Sequence, residues 1–353
     1  MLVTTHPPPA AYLCRRLPRT YGVPVLEADV EVDRRDFTVA VALRVAPGER
    51  LALFGPSGAG KTTALEMIAG LVPPRRGQVV LGGRVLTRTS APRVAVPPWR
   101  RRVGLLRQNP GLFPHLTVRQ NLEYGAGRAP DPARTVRLAT DLGIEGLLAD
   151  RPARLSGGQA HRVALGRLLL ARCDALLLDE PYTGLDTSLR RALTELVRSL
   201  AADAGVPVVL VAHELTEAQA FADRLAVLDA GRLLQDGGAG EVVRRPASRR
   251  VAELVGYLSF VPIAAGGDGA VAGVHPERVV PGAHPERGLV LSGQVRALHP
   301  AGAGWEAGLA AGPEVVWCQL AEAPGREATV TVLDPPCFGQ DGMFQPWSAQ
   351  VRA

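Results

Sequence analysis

The sequence is nearly without lysine and has no long apolar runs. Of its 40 lysine and arginine residues, 39 are arginine and only Lys61 is lysine. Its longest apolar runs, such as residues 206–212, are far shorter than the roughly 18–20 residues of a membrane-spanning helix. We therefore expect no membrane-spanning helix, and we expect a special role for Lys61.

Cysteine is scarce and scattered. The four cysteines, Cys14, Cys173, Cys318 and Cys337, include no pair at metal-ligand spacing, which argues against a disulfide scaffold and a zinc site. Cys173 lies in an apolar stretch and is expected to be a buried thiol in a reducing, intracellular compartment. Residues 1–24 are rich in proline and lack the segment order of a signal peptide. They are predicted to be a disordered tail or to follow a start codon assigned too early.

Aromatic residues are also few, at 5% of the chain, although its net charge is +6. Nucleic-acid binding would need a basic stripe with interleaved aromatic residues as a stacking platform, and none is present. An arginine-rich surface with counter-ions is therefore favoured. Residues 1–260 carry a net charge of +10 and residues 261–353 a net charge of −4, which suggests a domain boundary between them.

Short apolar runs alternate with helical patterns over most of the chain. Residues 51–55, 175–180 and 206–214 are typical of strands covered on both faces, and helical patterns lie between them. This alternation predicts an α/β domain with a largely parallel sheet. After about Pro246, short valine-rich runs and many Gly and Pro residues predict a small all-β, barrel-like domain.

The strongest motif follows the first buried strand and opens a helix. It matches the G-x-x-x-x-G-K-[ST] pattern, whose backbone N–H groups cradle phosphates at a helix N-terminus. Lys61 fits because lysine carries a compact cation on a flexible stem, whereas arginine is a planar fork. The alternative is a glycine-rich turn that matches the pattern by chance. Such a turn would not be expected to lie between a buried strand and a helix. The loop comprises Gly55, Pro56, Ser57, Gly58, Ala59, Gly60, Lys61 and Thr62.

Two further strands end in polar residues. Asp179 and Glu180 follow the run from Ala175; Asp179 is suited to a water-mediated contact with Mg²⁺ and Glu180 to orienting the attacking water. Taken alone, the acidic pair fits a strand-end turn equally well. His213 ends the third run, and the carboxyl ends of parallel strands converge on a ligand crevice. Together these ends favour a γ-phosphate contact for His213, which alone would be interpreted as structural.

A second anion-ready helix start lies at Leu155–Gln159. Ser156 is placed at an N-cap and is followed by Gly157 and Gly158, and such helix starts bind anions. A second phosphate site has no use within one copy of the domain. It is explained if this helix closes over the nucleotide of another copy.

These motifs, in this order and spacing, resemble those of ATP-binding cassette ATPases. GPSGAGKTT, Gln108, LSGGQ, LLLDEP, the GLD at residues 184–186 and His213 carry the resemblance over residues 25–245. It implies a P-loop NTPase with a RecA-like α/β core, an antiparallel β subdomain and a helical subdomain at about residues 109–160. Residues 246–261 would be a linker, and residues 262–353 a regulatory β-barrel of the OB type.

The resemblance also implies residue roles toward ATP and Mg²⁺. Phe37 is a candidate for stacking on adenine, and core packing is an equal alternative. Arg107 stands where the family commonly has an aromatic residue, and Ala160-His161 replace longer polar residues. Lys61 and the amides of Gly58 to Thr63 would hold the phosphates, and Thr62, Gln108 and Asp179 would hold Mg²⁺. Glu180 would be the catalytic group, together with His213 and Gln108. The residues at the seam with a second subunit would be Ser156, Gly157, Gly158, Gln159 and Asp186.

The resemblance further implies partners and location. We expect a homodimer on the cytoplasmic face of the membrane, peripheral to two transmembrane permease subunits and served indirectly by an extracytoplasmic substrate-binding protein. Residues 107–125 resemble the segment of importer ATPases that receives the permease. Residues 83–86, the PPWRRRVG stretch at 97–104 and the short C-terminal region most resemble molybdate-importer ATPases. Sulfate, iron, polyamine and sugar importers remain alternatives, followed by an ABC ATPase acting on nucleic acid, although no nucleic-acid partner is expected.

Overall fold

The computed structural model describes residues 24–127, 130–171, 173–182, 185, 187–263, 269–302, 304–311 and 314–345. The chain divides into two compact units, the first ending at Asp236 and the second beginning at Gly237. Almost all of the predicted tail, residues 1–24, lies outside the described residues. Of the cysteines within them, burial raises the pKa of Cys173 to about 12 and that of Cys318 and Cys337 to about 11.

The first unit alternates strands and helices. Its strands are β1 Leu26–Asp33, β2 Thr38–Val45, β3 Arg50–Phe54, β4 Arg76–Leu81, β5 Arg84–Arg88, β6 Val94–Ala95, β7 Val103–Leu106, β8 Ala175–Asp179, β9 Val208–Val211, β10 Arg224–Asp229 and β11 Arg232–Gly238. Its helices are α1 Lys61–Ala69, α2 Val118–Ala126, α3 Pro132–Asp141, α4 Gly157–Leu170, α5 Thr187–Ala204 and α6 Leu215–Phe221.

One sheet of eleven strands runs through this unit in the order β6-β5-β4-β1-β2-β11-β10-β3-β9-β8-β7. Within the run β10-β3-β9-β8-β7, adjacent strands pair in parallel, and every residue of β8 and β9 is buried. Strands β6, β5, β4, β1 and β2 pair antiparallel. The predicted α/β core with an antiparallel β subdomain is confirmed.

Helices α2 and α3 lie in the region predicted to be a helical subdomain, about residues 109–160, and α4 begins at its end. Capping boxes start two of them: Thr117 and Gln120 bond reciprocally at α2, and Ser156 and Gln159 do so at α4. Each box satisfies backbone N–H groups that the first helical turn leaves without partners. Gly125 lets α2 approach α4 closely, since a Cβ there would lie 1.9 Å from the carbonyl oxygen of Arg167.

The second unit contains short helices and two β-sheets. Residues 246–261, predicted to be a linker, instead contain α8 and the start of β12. Apolar residues there, such as Val251 and Ala252, are fully buried, so this stretch folds as part of the unit. Its elements are α7 Ala239–Arg244, α8 Arg249–Leu254, β12 Ser259–Pro262, β13 Val271–Val274, β14 Val279–Pro281, β15 Gly288–Ala301, β16 Gly304–Ala311, β17 Glu314–Leu320, β18 Glu327–Leu333, β19 Cys337–Phe338 and β20 Phe344–Gln345.

The strands of the second unit enclose an apolar core. A five-stranded sheet has the order β14-β18-β15-β16-β17, and a four-stranded sheet the order β12-β13-β19-β20. Ser259 of β12 covers the edge of β17: its hydroxyl donates to the carbonyl oxygen of Val315 at 3.1 Å and accepts from the N–H of Trp317 at 3.3 Å. The predicted small all-β, barrel-like domain is confirmed.

Candidate active site

Four adjacent parallel strands deliver the predicted site residues to one edge of the large sheet. In the sheet order β3-β9-β8-β7, residues 55–62 follow β3, His213 follows β9, Asp179 ends β8 and Gln108 follows β7. The carboxyl ends of neighbouring parallel strands form the ligand crevice of such sheets. The predicted convergence of these strand ends is therefore seen in the structure, with the end of β7 added to it.

The loop between β3 and α1 curls around the Lys61 ammonium. Lys61 is only 8% exposed, and its Nζ donates to the carbonyl oxygens of Gly55 at 2.7 Å and Pro56 at 2.9 Å. A Cβ at Gly55 would lie 1.9 Å from the carbonyl oxygen of Leu228, whereas a Cβ at Gly58 would meet nothing within 4 Å. The loop therefore packs tightly against Leu228 at Gly55 and leaves open space at Gly58. This arrangement provides room for a ligand on the Gly58 side of the loop.

The charge of Lys61 lies beside two carboxylates. Burial lowers the pKa of Lys61, and the nearby Glu180 and Asp179 carboxylates oppose this effect. Helix α1 begins at Lys61 with Gly60 as its N-cap, and no side chain caps its first N–H groups. A buried cation and uncapped amides at a helix N-terminus fit a phosphate group. The hydroxyl of the adjacent Thr63 accepts from Arg34 at 3.2 Å.

Thr62 and Asp179 form the next part of the site. The Thr62 hydroxyl lies 3.0 and 3.2 Å from the two carboxylate oxygens of Asp179. Asp179 is 3% exposed, and burial raises its pKa while the Thr62 hydrogen bond lowers it. Hydroxyl and carboxylate oxygens are ligands that Mg²⁺ prefers. One hydroxyl and one carboxylate fit an ion that takes its other ligands from phosphate and water. Within the described residues no group of three or more His, Cys, Asp or Glu could hold a metal.

Glu180 adopts an unusual backbone conformation beside Gln108. Its φ angle is +49°, in the left-handed region that non-glycine residues rarely adopt outside functional sites and turns. The Gln108 amide donates from Nε2 to Glu180 Oε2 at 3.2 Å. The structure therefore brings Gln108, Glu180, Asp179, Thr62 and Lys61 together.

His213 lies exposed before α6, close to Glu217, a residue that sequence reasoning missed. Burial raises the pKa of Glu217 to about 7. Nearby Glu214 and Glu180 raise this pKa further, while Arg190 and the His213 backbone lower it. Glu217 thus lies near both His213 and the acidic region around Glu180.

Replacing Glu217 with glutamine should change the pH dependence of stability. The pKa of Glu217 rises from its ordinary value of 4.5 to about 7 on folding, so the folded state binds more protons than the unfolded state between these values. Stability of the wild type therefore falls as pH rises through that window. Compared with wild type, Glu217→Gln should gain up to about 3 kcal/mol between pH 5 and pH 8, measured by urea unfolding.

The matched control is Glu195→Gln at an exposed position on α5. It removes one carboxylate from the surface and so reports the general effect of the substitution. A difference between Glu217→Gln and wild type that is the same at pH 5 and pH 8 would contradict the argument, because the Glu217 carboxyl would then carry the same charge in both states.

The start of α4 is exposed and is occupied by its own capping box. The Ser156 hydroxyl accepts from the Gln159 N–H at 3.3 Å, and Gln159 Oε1 accepts from the Ser156 N–H at 2.8 Å. Among the residues the structure describes, no hydrogen bond joins residues 156–159 to residues 55–63. Asp186 lies outside the described residues.

Phe37 lies beside the phosphate loop but packs against the core. It is half-buried against the apolar cluster of the first unit, and its ring comes within 3.6 Å of where a Cβ of Gly60 would lie. Both interpretations of Phe37 remain compatible with this position.

No described helix combines the length and the hydrophobicity that crossing a bilayer would demand.

An aromatic surface follows Gln108 along the chain. The rings of Phe113 and Tyr124 lie 4.5 Å apart, Tyr124 is 63% exposed, and the Arg167 guanidinium lies 5.2 Å from the Phe113 ring centre. The Asn121 side chain accepts from the Phe113 N–H at 2.9 Å. The half-buried Phe113 of the loop and the exposed Tyr124 of α2, here called the aromatic surface, suit contact with another protein.

Comparisons with known proteins agree on one family. Residues 39–183 match the ABC transporter family model. A molybdenum import ATP-binding protein of Mycobacterium tuberculosis is 43% identical over 258 residues, covering 70% of this chain and 69% of that protein. An Fe(3+) ions import ATP-binding protein of Mesorhizobium japonicum is 42% identical over 230 residues, covering 64% and 63%. A solved ATP binding subunit of an ABC transporter is 28% identical with a TM-score of 0.54, covering 66% of this chain and 95% of that one.

Proposed function

The chain belongs to the ATP-binding subunits of ABC importers, which hydrolyse ATP to drive transport, and we propose molybdate or a related oxyanion as its substrate. The observation that carries this proposal is the match to the molybdenum import protein, at 43% identity over 258 residues. The match to the iron import protein is nearly as strong but shorter, at 42% over 230 residues. Import of iron is therefore the alternative that an experiment must exclude.

We assign the phosphate groups of ATP to the loop of residues 55–62 and the start of α1. Lys61 would move its ammonium from the carbonyl oxygens of Gly55 and Pro56 toward the β- and γ-phosphates, where it binds as a point charge. The amides of Gly58 to Thr63 would donate to the same oxygens. The open space above Gly58 and the uncapped N–H groups of α1 support this assignment.

Mg²⁺ would be held by Thr62, Gln108 and Asp179. When bound, the ion neutralises negative charge on the β- and γ-phosphate oxygens. The Thr62 hydroxyl and the Asp179 carboxylate are already in contact, so both oxygens face the same point. Burial makes the Asp179 carboxylate costly to ionise alone, and a cation beside it offsets that cost.

Glu180 would accept a proton from the attacking water or orient that water. Its carboxylate follows a buried strand and accepts from Gln108, which fixes its orientation at the edge of the crevice. His213 would donate to the γ-phosphate from the end of the adjacent strand. The exposed position of His213 directly beyond β9 supports such a contact.

A homodimer would complete the site. The exposed start of α4 is an anion-ready helix end that makes no hydrogen bond to the phosphate loop of its own chain in the described residues. Residues 156–159 would therefore bind the γ-phosphate held by a second copy, with Asp186 at the same seam. One chain would supply Lys61 and Glu180, and the other would supply Ser156.

The permease would dock on the aromatic surface of Phe113 and Tyr124. Phe113 follows Gln108 by only five residues, so the nucleotide and the membrane partner would contact one continuous segment. Two permease subunits and an extracytoplasmic binding protein would complete the transporter, with this chain peripheral on the cytoplasmic face. Domain bounds of 25–245 for the ATPase and 262–353 for the barrel are kept as the proposed functional division.

The test of the substrate is uptake of radioactive molybdate at trace concentration. Cells lacking this gene should lose uptake, and the wild-type gene should restore it even in excess sulfate. The matched control is the gene carrying Glu180→Gln, which should not restore uptake. Radioactive Fe(III) uptake is measured in the same strains.

Loss of Fe(III) uptake with unchanged molybdate uptake would overturn the oxyanion proposal and favour iron. Competition by sulfate at equal concentration would reassign the substrate to sulfate. Strong stimulation of the ATPase by DNA or RNA would instead favour the nucleic-acid alternative.

A further inference from the structure

Arg107 and Glu66 form an ion pair directly beside the residues of the candidate active site. The Arg107 guanidinium donates from Nη2 to Glu66 Oε1 at 2.8 Å. The Glu66 side chain is 16% exposed and that of Arg107 is 58% exposed, so the acidic partner is largely buried. Arg107 precedes Gln108 and occupies a position where an aromatic residue is common in the resembling family.

Glu66 lies on the face of α1 that meets the strand ends. It is four residues from Thr62, and residues at that spacing share one face of a helix. Thr62 contacts Asp179 at the end of β8, and Glu66 contacts Arg107 at the end of β7. The two strands are parallel with Leu106 opposite Leu178, so Arg107 and Asp179 each stand one residue beyond the paired positions. One face of α1 therefore contacts residues at the carboxyl ends of both β7 and β8.

The segment that contains Gln108 is held on both sides. Arg107 is bound by Glu66, while Arg167 donates to the carbonyl oxygens of Pro110 and Gly111 at 3.0 Å each. Only Gln108 and Asn109 lie between these fixed points. A side chain on so short a tether changes position when either end is released.

We propose that Glu66 and Arg107 are a positioning pair that fixes Gln108 against Glu180. This inference rests on the proposed function of Gln108 and Glu180. An ion pair whose cation is open to solvent contributes little to stability, but a small displacement of a catalytic group lowers the rate strongly. The pair should therefore be detected in turnover and in local mobility rather than in overall stability.

The experiment compares Arg107→Met, Glu66→Gln, the double variant and the charge exchange Glu66→Arg with Arg107→Glu, all in the full chain. Each single variant should lower kcat by about 10-fold, below the ~100-fold that a 1 Å misplacement causes. KM for ATP should change by less than about 2-fold, because Lys61 and the loop are untouched. The double variant should be no worse than either single variant, and the charge exchange should restore kcat to within about 3-fold of wild type.

Arg102→Met is the matched control. Arg102 and Asp174 form an ion pair with Nε 2.8 Å from Oδ2, and these residues precede the same two strands at their opposite ends. Losing that pair should leave kcat unchanged. A fall in kcat equal to that of Arg107→Met would show a general effect on β7 and overturn the proposal.

Hydrogen exchange of the backbone amides in residues 108–112 gives a readout independent of catalysis. Arg107→Met should speed this exchange by about 10-fold, and the charge exchange should reverse the change. Unchanged exchange with unchanged kcat would overturn the positioning pair. Faster exchange with unchanged kcat would also overturn it, and would locate the failure in the proposed role of Gln108.

Discussion

Replacing Lys61 with alanine should abolish ATP hydrolysis. Phosphoryl transfer is catalysed mainly by positioning and by charge stabilisation, and single cations act on it by about 10³-fold or more. Lys61 is the cation enclosed by the loop, with its ammonium 2.7 Å from the Gly55 carbonyl oxygen. Phosphate release should fall by at least about 10³-fold, and binding of a fluorescent ATP analogue should weaken.

Lys61→Arg is the informative companion variant because it keeps the charge. The ammonium donates to two loop carbonyls within 3 Å, which a compact cation can do and a planar fork cannot without moving the loop. We expect this variant to be as inactive as Lys61→Ala. Normal turnover would show that charge alone suffices, and the single lysine among 39 arginines would then need another explanation.

The positions of these site residues could be predicted because each residue follows a short apolar run that forms a buried strand. Residues 51–55, 175–179 and 208–211 are buried on both faces, and a polar residue follows each within two positions. A parallel sheet brings its carboxyl ends to one edge whatever the order of its strands. The loop, Asp179, Glu180 and His213 therefore required no knowledge of tertiary contacts, whereas Gln108 required the family resemblance.

The contacts of Glu66 and Glu217 could not be predicted in the same way. Glu66 and Arg107 are 41 residues apart, and sequence spacing indicates the face of α1 but not the partner that meets it. Glu217 gains its raised pKa from burial, which depends on the packing of α6. One signal was available, since Glu66 follows Thr62 by four residues and so had to share its face.

The second compact unit begins earlier in the chain than the change in composition, for a similar reason. Charge and composition change near residue 260, but packing begins at Gly237. Helix α8 buries Val251 and Ala252, although its six residues are too few for a clear periodic pattern. Composition therefore indicated a barrel but missed the helices that fold with it.

Replacing Glu180 with glutamine should lower turnover by about 10²–10⁴-fold, the range expected for loss of a general base. Glutamine is nearly isosteric and can still accept from Gln108 through its carbonyl oxygen, so ATP binding should persist. The left-handed φ of +49° at this position applies equally to both residues and does not distinguish them. Single-turnover hydrolysis is the measurement, and near-normal turnover would refute the role of Glu180.

The same variant should reveal how the subunits assemble. With hydrolysis blocked, ATP would remain between the phosphate loop of one chain and the α4 start of another, so light scattering should detect a dimer only when ATP is present. Adding Ser156→Arg should prevent this dimer, because a bulky side chain would block the exposed helix start, while each monomer should still bind ATP. A dimer that survives Ser156→Arg would exclude residues 156–159 from the interface, and a monomer at saturating ATP in Glu180→Gln alone would refute the completion of the site in trans.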